Sequence, residues 1–441
     1  MMKYHIITFG CQMNEADSSL MAALLEAAGW ERAATRDESD LVVVNTCSVR
    51  EKPEHKVDSL LGELRGMKEQ RRGLLIAVTG CMVQRAGDNV AQAPSLRVAD
   101  ILLGTRSFHH IVEAAERARS GERPVVIADL DEDPSPLRCT VASAEAPLRA
   151  FVPIILGCTN FCSYCIVPYV RGGEKSRAVG EIRGEVESLV RGGTKEVTLL
   201  GQNVLAYGRD LDAGATFADL LGNLSEIEDL WRIRFTTCHP RDVSERLVRQ
   251  IRDLPPVCEH IHLPIQAGTD KLLREMNRGY TTGEYLRIVD ELRAGVPGIA
   301  VTTDMMVGFP AETDQDFESS LGLYEGMRFD SAFMFAYSPR PGTAAARRTD
   351  QVPSKVRLER LHRLIEVQNR ITLERNEEQI GSIAEVLVEG PAERGEGLLA
   401  GKTRQNKQVV FAADAKAAGS LAKVRLIEAR LWGFRGVPAA I

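Results

Sequence analysis

Residues 151–165 read Phe-Val-Pro-Ile-Ile-Leu-Gly-Cys-Thr-Asn-Phe-Cys-Ser-Tyr-Cys, an apolar run followed directly by three cysteines, Cys158, Cys162 and Cys165. The apolar run, from Val152 to Leu156, is typical of a buried strand. The C-x3-C-x2-C spacing places three thiolates on one short loop, where they can converge on one metal centre. Because no fourth Cys or His follows nearby in the sequence, a [4Fe–4S] cluster held here would keep one iron open to another ligand. An open iron favours catalysis over storage.

Two simpler interpretations of this triplet remain open at this point. A structural zinc site usually has four ligands in paired C-x2-4-C units, whereas this loop offers three. Three unrelated buried thiols would have no physical reason to be spaced so closely. The triplet therefore favours an iron–sulfur cluster over both.

Length and composition limit the remaining possibilities. A chain of 441 residues is too long for one ordinary core and indicates about two to four domains. Hydrophobic residues make up 44% and charged residues 26%, which is typical of globular proteins. The net charge of −6 argues against a protein that coats nucleic acid over its whole surface, so any RNA contact is expected to be local. The sequence shows neither a signal peptide nor about 18 consecutive apolar residues, which predicts a cytoplasmic protein with no membrane contact.

The first part of the chain alternates strand and helix patterns. Strands are expected over Tyr4 to Phe9, Leu41 to Val44 and Leu74 to Val78, and helices over Ser18 to Ala28 and Lys56 to Glu69. This alternation predicts a parallel sheet covered by helices. A polar, proline-containing stretch over residues 129–147 has no clear periodicity and indicates a linker.

A second alternating series begins at Phe151. Its strand candidates are Val152 to Leu156, Val197 to Leu200, Arg232 to Thr236, His260 to Ile265, Ala300 to Val307 and Ser331 to Tyr337. Six strand–helix units fit either a partial (βα) barrel or a second doubly wound sheet, and periodicity alone does not separate them. His262, Gln266 and Asp304 lie on or just after these strands, but packing roles are equally consistent and we do not assign them to the site.

The last part of the chain changes pattern after a long charged helix, about Lys355 to Gln379. Four short strands follow, which predict a small all-β module. They are Ala384 to Val388, Gly397 to Ala400, Gln408 to Phe411 and Lys423 to Ala429.

A second set of cysteines is distributed along the first sheet. Cys11, Cys47 and Cys81 each come directly after the carboxyl end of a predicted parallel strand, and such ends line one crevice in an open α/β sheet. The three thiols could therefore bind a second cluster, with ordinary buried thiols as the alternative. All nine cysteines are expected to be reduced in the cytoplasm, so their spacing carries the information. The remaining three are predicted not to be ligands: Cys139, Cys238 and Cys258.

Together these segments resemble the methylthiotransferase family of the radical S-adenosylmethionine (radical SAM) superfamily. The superfamily feature is the triplet loop with Tyr164 before its last cysteine. The family features are Cys165 to Gly172 (CIVPYVRG) and the set Cys11, Cys47 and Cys81. Gly10 to Asn14, Leu200 to Val204 and Ala206 to Gly208 resemble the branch that makes 2-methylthioadenosine in tRNA. Thr159 and Cys238 depart from the family pattern without removing a ligand.

The resemblance implies an α/β multidomain fold. We expect an N-terminal parallel α/β sheet domain over residues 1–128, a linker over 129–148 and a central partial (βα)6 radical SAM barrel over 149–379. A C-terminal TRAM domain, a small antiparallel OB-like β-barrel that binds RNA, is expected over 380–441.

The resemblance also implies two [4Fe–4S] clusters and SAM. Cys158, Cys162 and Cys165 would hold the cluster whose open iron binds SAM, with Tyr164 and Gln202 in contact with SAM. Cys11, Cys47 and Cys81 would hold an auxiliary cluster that carries the sulfur to be inserted. Lys402, Arg404 and Lys407 lie in a segment that resembles the TRAM Gly-Arg-Thr-x-x-Asn turn and would contact RNA phosphate. A solvated hairpin tip is the alternative for that turn.

The reaction implied is the conversion of N(6)-isopentenyl (dimethylallyl) adenosine at tRNA position 37, next to the anticodon, to its 2-methylthio derivative. The hydrogen on carbon 2 of adenine is not acidic enough for a side-chain base, which is why radical chemistry is needed. The alternative is the same chemistry on a ribosomal protein side chain or on threonylcarbamoyl-adenosine in tRNA. Expected partners are the tRNA anticodon stem–loop, an electron donor and a protein that supplies sulfur or clusters, and the chain is expected to be a monomer. Two other classes remain as rivals, an RNA-binding protein without turnover and a zinc-dependent hydrolase.

Overall fold

The computed structural model describes residues 1–48, 51–87, 89, 93–131, 146–212 and 214–439, with backbone alone for 51–55. The described residues build two sets of parallel strands and one closed barrel, in that order along the chain. No described helix is both long enough and apolar enough to span a membrane. Cys139 and most of the expected linker lie outside the described residues.

The first domain is a six-stranded parallel sheet in the order β2-β1-β3-β4-β5-β6. Its strands are β1 (Lys3–Thr8), β2 (Glu31–Arg32), β3 (Leu41–Thr46), β4 (Leu75–Gly80), β5 (Ile101–Leu103) and β6 (Val125–Ile127). Its helices are α1 (Gln12–Ala27), α2 (Glu51–Gln70), α3 (Cys81–Ala86) and α4 (Ile111–Arg119). The predicted parallel sheet is confirmed. From β1 the chain builds β2 on one side and β3 on the other, so the direction of strand addition reverses between β1 and β3. The loops after these two strands therefore leave on opposite faces of the sheet and form a crevice at its carboxyl edge.

Apolar side chains cover both faces of this sheet. Leu41 and Val43 of β3 pack with α1 and α4 on one face, whereas Val42 and Val44 pack with α2 and α3 on the other. A strand with helices on both sides has no polar face, which explains the unbroken apolar run in the sequence.

The second domain contains six principal parallel strands. The strands are β7 (Arg149–Pro153), β8 (Ile155–Leu156), β9 (Lys175–Ser176), β10 (Glu196–Leu200), β11 (Arg232–Phe235), β12 (His260–His262), β13 (Ala300–Val307) and β14 (Ser331–Ala336), with β8 and β9 forming a small antiparallel pair. β7, β10 and β11 form one parallel sheet and β12, β13 and β14 another. A parallel bridge between Ile233 and Val257 links the two. Because consecutive strands are neighbours throughout, with no reversal of order, this is the partial barrel and not a second doubly wound sheet.

Eight helices belong to this domain in the described residues. They are α5 (Val167–Arg171), α6 (Val179–Arg191), α7 (Phe217–Ser225), α8 (Glu245–Asp253), α9 (Asp270–Glu275), α10 (Thr282–Gly295), α11 (Asp314–Met327) and α12 (Ser354–Glu377). Capping boxes begin three of them, at Thr216, Thr281 and Thr313, where the threonine hydroxyl and an acidic side chain three residues later satisfy the first backbone N–H groups. These local signals fix where α7, α10 and α11 start.

The third domain is a closed five-stranded barrel in the order β15-β16-β17-β19-β18. Its strands are β15 (Ile383–Pro391), β16 (Leu398–Thr403), β17 (Gln408–Ala412), β18 (Leu421–Arg430) and β19 (Gly433–Pro438). The small β-barrel is confirmed. It differs from the expected antiparallel pattern at one pair, because β17 and β19 run parallel.

The second and third domains are joined through two buried arginines of β11. Arg232 and Arg234 are 0% and 5% exposed. Arg232 donates to the carbonyl oxygen of Lys402 at 2.7 Å, and Arg234 donates to those of Thr403 and Arg404 at 2.7 and 2.8 Å. The turn after β16 is therefore docked on the central barrel.

Candidate functional site

Cys11, Cys47 and Cys81 lie at the predicted crevice of the first sheet. Cys11 immediately precedes α1, Cys47 directly follows β3, and Cys81 is the first residue of α3 after β4. β1, β3 and β4 are adjacent strands, so all three cysteines are at one sheet edge. Cys47 and Cys81 are buried, whereas Cys11 is exposed.

Gly10 allows the first two of these loops to approach each other. A β-carbon on Gly10 would lie 2.4 Å from Cβ and 3.1 Å from Sγ of Cys47. Its φ of +124° is a backbone conformation that other residues rarely adopt. Only glycine at this position lets the loops after β1 and β3 come this close.

Asn14, which is fully buried, ties the two loops together. Its Nδ2 lies 2.8 Å from the carbonyl oxygen of Thr46 and 3.1 Å from that of Phe9. Its Oδ1 accepts from Cys11 Sγ at 3.4 Å and from Arg171 Nη2 at 3.0 Å. One amide thus links the first domain's cysteine loops to an arginine of the second domain.

Arg171 is the last residue of α5, and its side chain enters the crevice from the central barrel. It is 5% exposed, and Nη2 lies 3.5 Å from Oδ2 of Asp17. The guanidinium interacts with Cys81 and Cys11. Hydrogen bonding to Cys47 and the charge of Arg171 lower the pKa of Cys11 to about 6, which favours the thiolate form that binds metal.

The start of the Cys158 loop is anchored by two hydrogen bonds. Gln202 Oε1 accepts from the backbone N–H of Gly157, and the N–H of Cys158 donates to the carbonyl oxygen of Gly172 at 3.1 Å. Gln202, predicted to contact SAM, thus uses its side-chain oxygen to hold the start of this loop. Whether it also contacts SAM stays a prediction.

A second buried arginine lies beside this triplet. Nη1 of Arg278 is 3.4 Å from Sγ of Cys162, and its Nη2 donates to the carbonyl oxygen of Pro264 at 3.0 Å. Tyr164 is half-buried against the barrel core, and burial raises the pKa of its hydroxyl. Burial raises the pKa of Cys165 to about 12, so a cluster that binds there must displace a proton.

The two triplets meet at one domain junction. Cys81 packs against Ile166 and Val170, in the segment that directly follows Cys165. Arg106 of the first domain reinforces this contact by donating to the carbonyl oxygens of Arg171 at 3.1 Å and Gly173 at 2.7 Å. The segment from Ile166 to Arg171 therefore separates the two sets of cysteines.

The chemistry of both triplets suits an iron–sulfur cluster. In the described part of the chain, no three or more His, Cys, Asp or Glu side chains already surround a single metal-ion position. The thiolates of a [4Fe–4S] cluster each bind a different iron, so they surround a larger object than one ion. Three cysteines with a buried guanidinium beside them fit such an anionic group. Cys238 and Cys258, predicted not to be ligands, are buried in the second domain.

The inner face of the central barrel carries a further polar set. Asp304 Oδ1 lies 3.4 Å from Nε2 of His262, and the ring of Phe333 packs edge-on against His262 at 5.8 Å. Phe333, on β14 at the end of the partial barrel, is 56% exposed. Solvent therefore reaches this group of side chains.

The turn predicted to bind RNA has a different environment from the one expected. Arg404 donates twice to the carboxylate of Glu259, at 2.7 and 2.8 Å. Lys407 Nζ lies 3.2 Å from Oδ1 of Asp330, and Lys402 is half-buried. Arg404 and Lys407 are thus both paired with carboxylates of the central barrel, and the phosphate contact expected of Lys402, Arg404 and Lys407 stays a prediction.

Sequence reasoning missed the residues that support the cysteines. Asn14, Arg171 and Arg278 act through tertiary contacts, and Asn14 and Arg171 are 157 positions apart. Asn14 lies in Gly10 to Asn14 and Arg171 in Cys165 to Gly172, two of the segments that carry the family resemblance. That resemblance was the one sequence signal that pointed to these two residues.

Comparisons with known proteins find relatives over almost the whole chain. A model of the radical SAM superfamily matches residues 152–323, and a model described as uncharacterized protein family UPF0004 matches residues 3–104. A Moorella thermoacetica protein named tRNA-2-methylthio-N(6)-dimethylallyladenosine synthase is 46% identical over 433 residues, covering 98% of this chain and 97% of that protein. A protein of the same name from Pelotomaculum thermopropionicum is 45% identical over 99% of this chain and 98% of its own length.

Solved structures share the fold at low identity. The radical SAM methyltransferase TsrM from Kitasatospora setae, with tryptophan and a SAM analogue bound, matches 90% of this chain and 79% of its own with a TM-score of 0.55 and 14% identity. The cobalamin-dependent radical SAM enzyme OxsB covers 83% of this chain and 56% of its own, with a TM-score of 0.51 and 12% identity. These likenesses support the fold alone. The full-length similarity shows that the chain belongs to the tRNA-2-methylthio-N(6)-dimethylallyladenosine synthase family of the radical SAM superfamily.

Proposed function

We propose that this chain holds two [4Fe–4S] clusters, one on Cys158, Cys162 and Cys165 and an auxiliary one on Cys11, Cys47 and Cys81. The chain is a tRNA methylthiotransferase that uses SAM and a [4Fe–4S] cluster. It converts N(6)-dimethylallyladenosine at tRNA position 37 to the 2-methylthio derivative, and the relatives' names support this branch over the ribosomal-protein alternative. The observation that carries the two-cluster proposal is the contact of Cys81 with Ile166, which brings the two cysteine sets to one junction.

Each residue set has a distinct task in this proposal. When bound, the cluster at Cys158, Cys162 and Cys165 would supply the electron for the reductive cleavage of SAM. That cleavage yields the radical needed to react at the C–H bond of adenine carbon 2. Gln202 fixes the loop that holds these cysteines. Arg278 offsets the negative charge at Cys162 from a buried position. At the other triplet, Asn14 fixes the loops of Cys11 and Cys47 relative to each other.

We infer the SAM and adenosine positions from the same geometry. Tyr164 and Gln202 border the Cys158 loop, which supports their proposed contact with SAM. The inner barrel face is open beside Phe333, and the polar pair His262 and Asp304 lies next to it. An apolar ring beside a hydrogen-bonding pair suits an adenosine that carries a dimethylallyl group.

For the C-terminal barrel we propose a TRAM role with a different RNA-binding face. Lys423, Arg425 and Arg435 on β18 and β19 are exposed, in contrast to Arg404 and Lys407. Trp432, between these strands, is 77% exposed, and it lines, together with Lys407, a cavity of about 120 Å³ at the domain junction. Exposed cations with an aromatic ring are typical of surfaces that bind phosphate and stack bases.

The remaining proposals follow from the family chemistry. We propose domains over residues 1–128, 149–379 and 380–441 with a linker over 129–148, because the strands of each sheet fall within these ranges. An electron donor and a sulfur or cluster supply protein are required as partners, since one cluster must be reduced and the inserted sulfur replaced. We expect a monomer that works in the cytoplasm, where tRNA is modified.

Iron, sulfide and nucleoside analysis of anaerobically reconstituted protein tests the two-cluster proposal. With SAM, reductant and dimethylallylated tRNA, we expect about eight irons per chain and 2-methylthio product. Replacing Cys11, Cys47 and Cys81 by Ala should leave about four irons and SAM cleavage but no methylthiolation. An unchanged iron content in that variant would contradict the auxiliary cluster. Replacement of Cys238 by Ala is the matched control and should change neither iron nor product.

A further inference from the structure

The side chain of Arg171 crosses from one cysteine set to the other. Its backbone belongs to the segment that follows Cys165, and its guanidinium interacts with Cys81 and Cys11. Hydrogen bonding to Asn14 Oδ1 at 3.0 Å and an ion pair with Asp17 at 3.5 Å fix its position. Asn14 Oδ1 also accepts from Cys11 Sγ at 3.4 Å, so the guanidinium and this thiol share one acceptor.

The charge balance of this pocket changes when a cluster binds. Arg171 faces the buried carboxylate of Asp17. A [4Fe–4S] cluster on three thiolates adds negative charge to a region that is closed to water at Cys47 and Cys81. Unpaired charge is costly in such surroundings, so a fixed cation beside the cluster stabilises it, and more so after reduction.

We propose that Arg171 is a positioning residue that retains the auxiliary cluster and raises its reduction potential. Its backbone lies in α5, which follows the Cys158 loop. The inference rests on the proposed second cluster. Arg171 then links the two cysteine sets electrostatically. Because its backbone follows the Cys158 loop, a shift of that loop also moves the guanidinium beside the auxiliary site. Hydrogen bonds and charge near the sulfurs are known means by which a protein sets cluster potentials.

The test uses the full chain with Cys158, Cys162 and Cys165 replaced by Ala, so that the auxiliary cluster alone can bind. In this background Arg171→Gln, Arg171→Lys and Arg106→Gln are compared. Arg106→Gln is the matched control, because it removes two hydrogen bonds across the same junction but leaves Arg171 in place. The readouts are iron and sulfide per chain, the rate of iron loss to a chelator, and the midpoint potential followed by electron paramagnetic resonance.

Arg171→Gln is expected to lower the midpoint potential and to speed iron loss by about 10–100-fold, the usual cost of removing a partner beyond the direct ligands. Arg171→Lys keeps the positive charge, so its midpoint potential should lie closer to that of the parent background. Arg106→Gln should match the parent in both midpoint potential and rate of iron loss. Failure of Arg171→Gln alone to load iron would support the proposal as well. An unchanged potential and retention in Arg171→Gln, or an equal loss in Arg106→Gln, would overturn it. Absence of about four irons in the parent background would instead contradict the auxiliary cluster itself.

Discussion

Replacing Arg404 by Ala distinguishes a docking role from a phosphate contact. In the structure this side chain makes two charge-assisted hydrogen bonds to Glu259 and donates at 2.6 Å to the carbonyl oxygen of Val257. The side chains of Arg404 and Glu259 are 21% and 24% exposed. Hydrogen bonds to charged groups contribute about 1.5–3 kcal/mol, and partial exposure places this pair toward the lower end. We expect Arg404→Ala to weaken docking of the C-terminal barrel by about 2 kcal/mol.

The salt dependence of RNA binding gives a second, independent measure. Each phosphate that a protein neutralises adds about 0.7–0.9 to the slope of log K against log salt concentration. The assay is binding of a tRNA anticodon stem–loop, followed by fluorescence anisotropy between about 50 and 200 mM salt. Because Arg404 is already paired, the slope for Arg404→Ala should equal that of the parent even if the affinity falls.

Arg435→Ala is the matched control on the exposed face. It should lower the slope by about 0.7–0.9 and leave urea unfolding unchanged. The opposite pattern, in which Arg404→Ala lowers the slope at unchanged stability and Arg435→Ala has no effect, would refute the docking argument and restore the turn as the phosphate site.

Three further predictions concern the glycine, a buried histidine and the exposed tryptophan. Gly10→Ala should lose the iron of the auxiliary site, because its β-carbon would collide with Cys47. The control is Gly29→Ala, at φ +84° with nothing within 4 Å, which should lose only about 1–2 kcal/mol of stability and keep its iron. Iron analysis together with thermal unfolding measures both effects. Burial lowers the pKa of His239 to about 2, so the unfolded chain takes up a proton below about pH 6.5 that the folded chain does not. Stability should therefore fall as pH drops from 6.5 toward 5, and His239→Gln should flatten this slope by up to about 1.4 kcal/mol per pH unit in urea titrations; an identical slope would contradict the assignment. Trp432→Ala should weaken stem–loop binding by about 1–3 kcal/mol with an unchanged salt slope, while unchanged affinity would exclude base stacking there.

Most of the fold could be predicted because its longer strands carry clear patterns. The predicted strand Ala300 to Val307 has the observed bounds, and Val152 to Leu156 is displaced by three residues because part of it forms β8. Strands β2, β5 and β6 contain only two or three residues, too few to show a period. β19 was missed as well, since its glycines and proline are unfavourable in a strand.

The cysteine positions could be predicted and their supporting residues could not. Three cysteines in one loop, or at three consecutive strand ends, form a pattern in the sequence itself. The approach of Arg171 to Asn14 depends on how two domains pack, for which local sequence holds no information. The turn from Lys402 to Lys407 shows the same limit, because its basic pattern does not reveal that Glu259 and Asp330 lie opposite.

The docking of the C-terminal barrel through Arg232 and Arg234 bears on which domains are interchangeable between relatives. Both arginines donate to main-chain oxygens of the turn, so they recognise the path of the backbone and not the identity of its side chains. These main-chain contacts persist where the side chains of the turn differ, whereas the ion pairs of Arg404 with Glu259 and of Lys407 with Asp330 depend on them. A C-terminal barrel taken from a relative should therefore keep the backbone part of this joint, and should dock most stably where its turn also carries cations at these two positions.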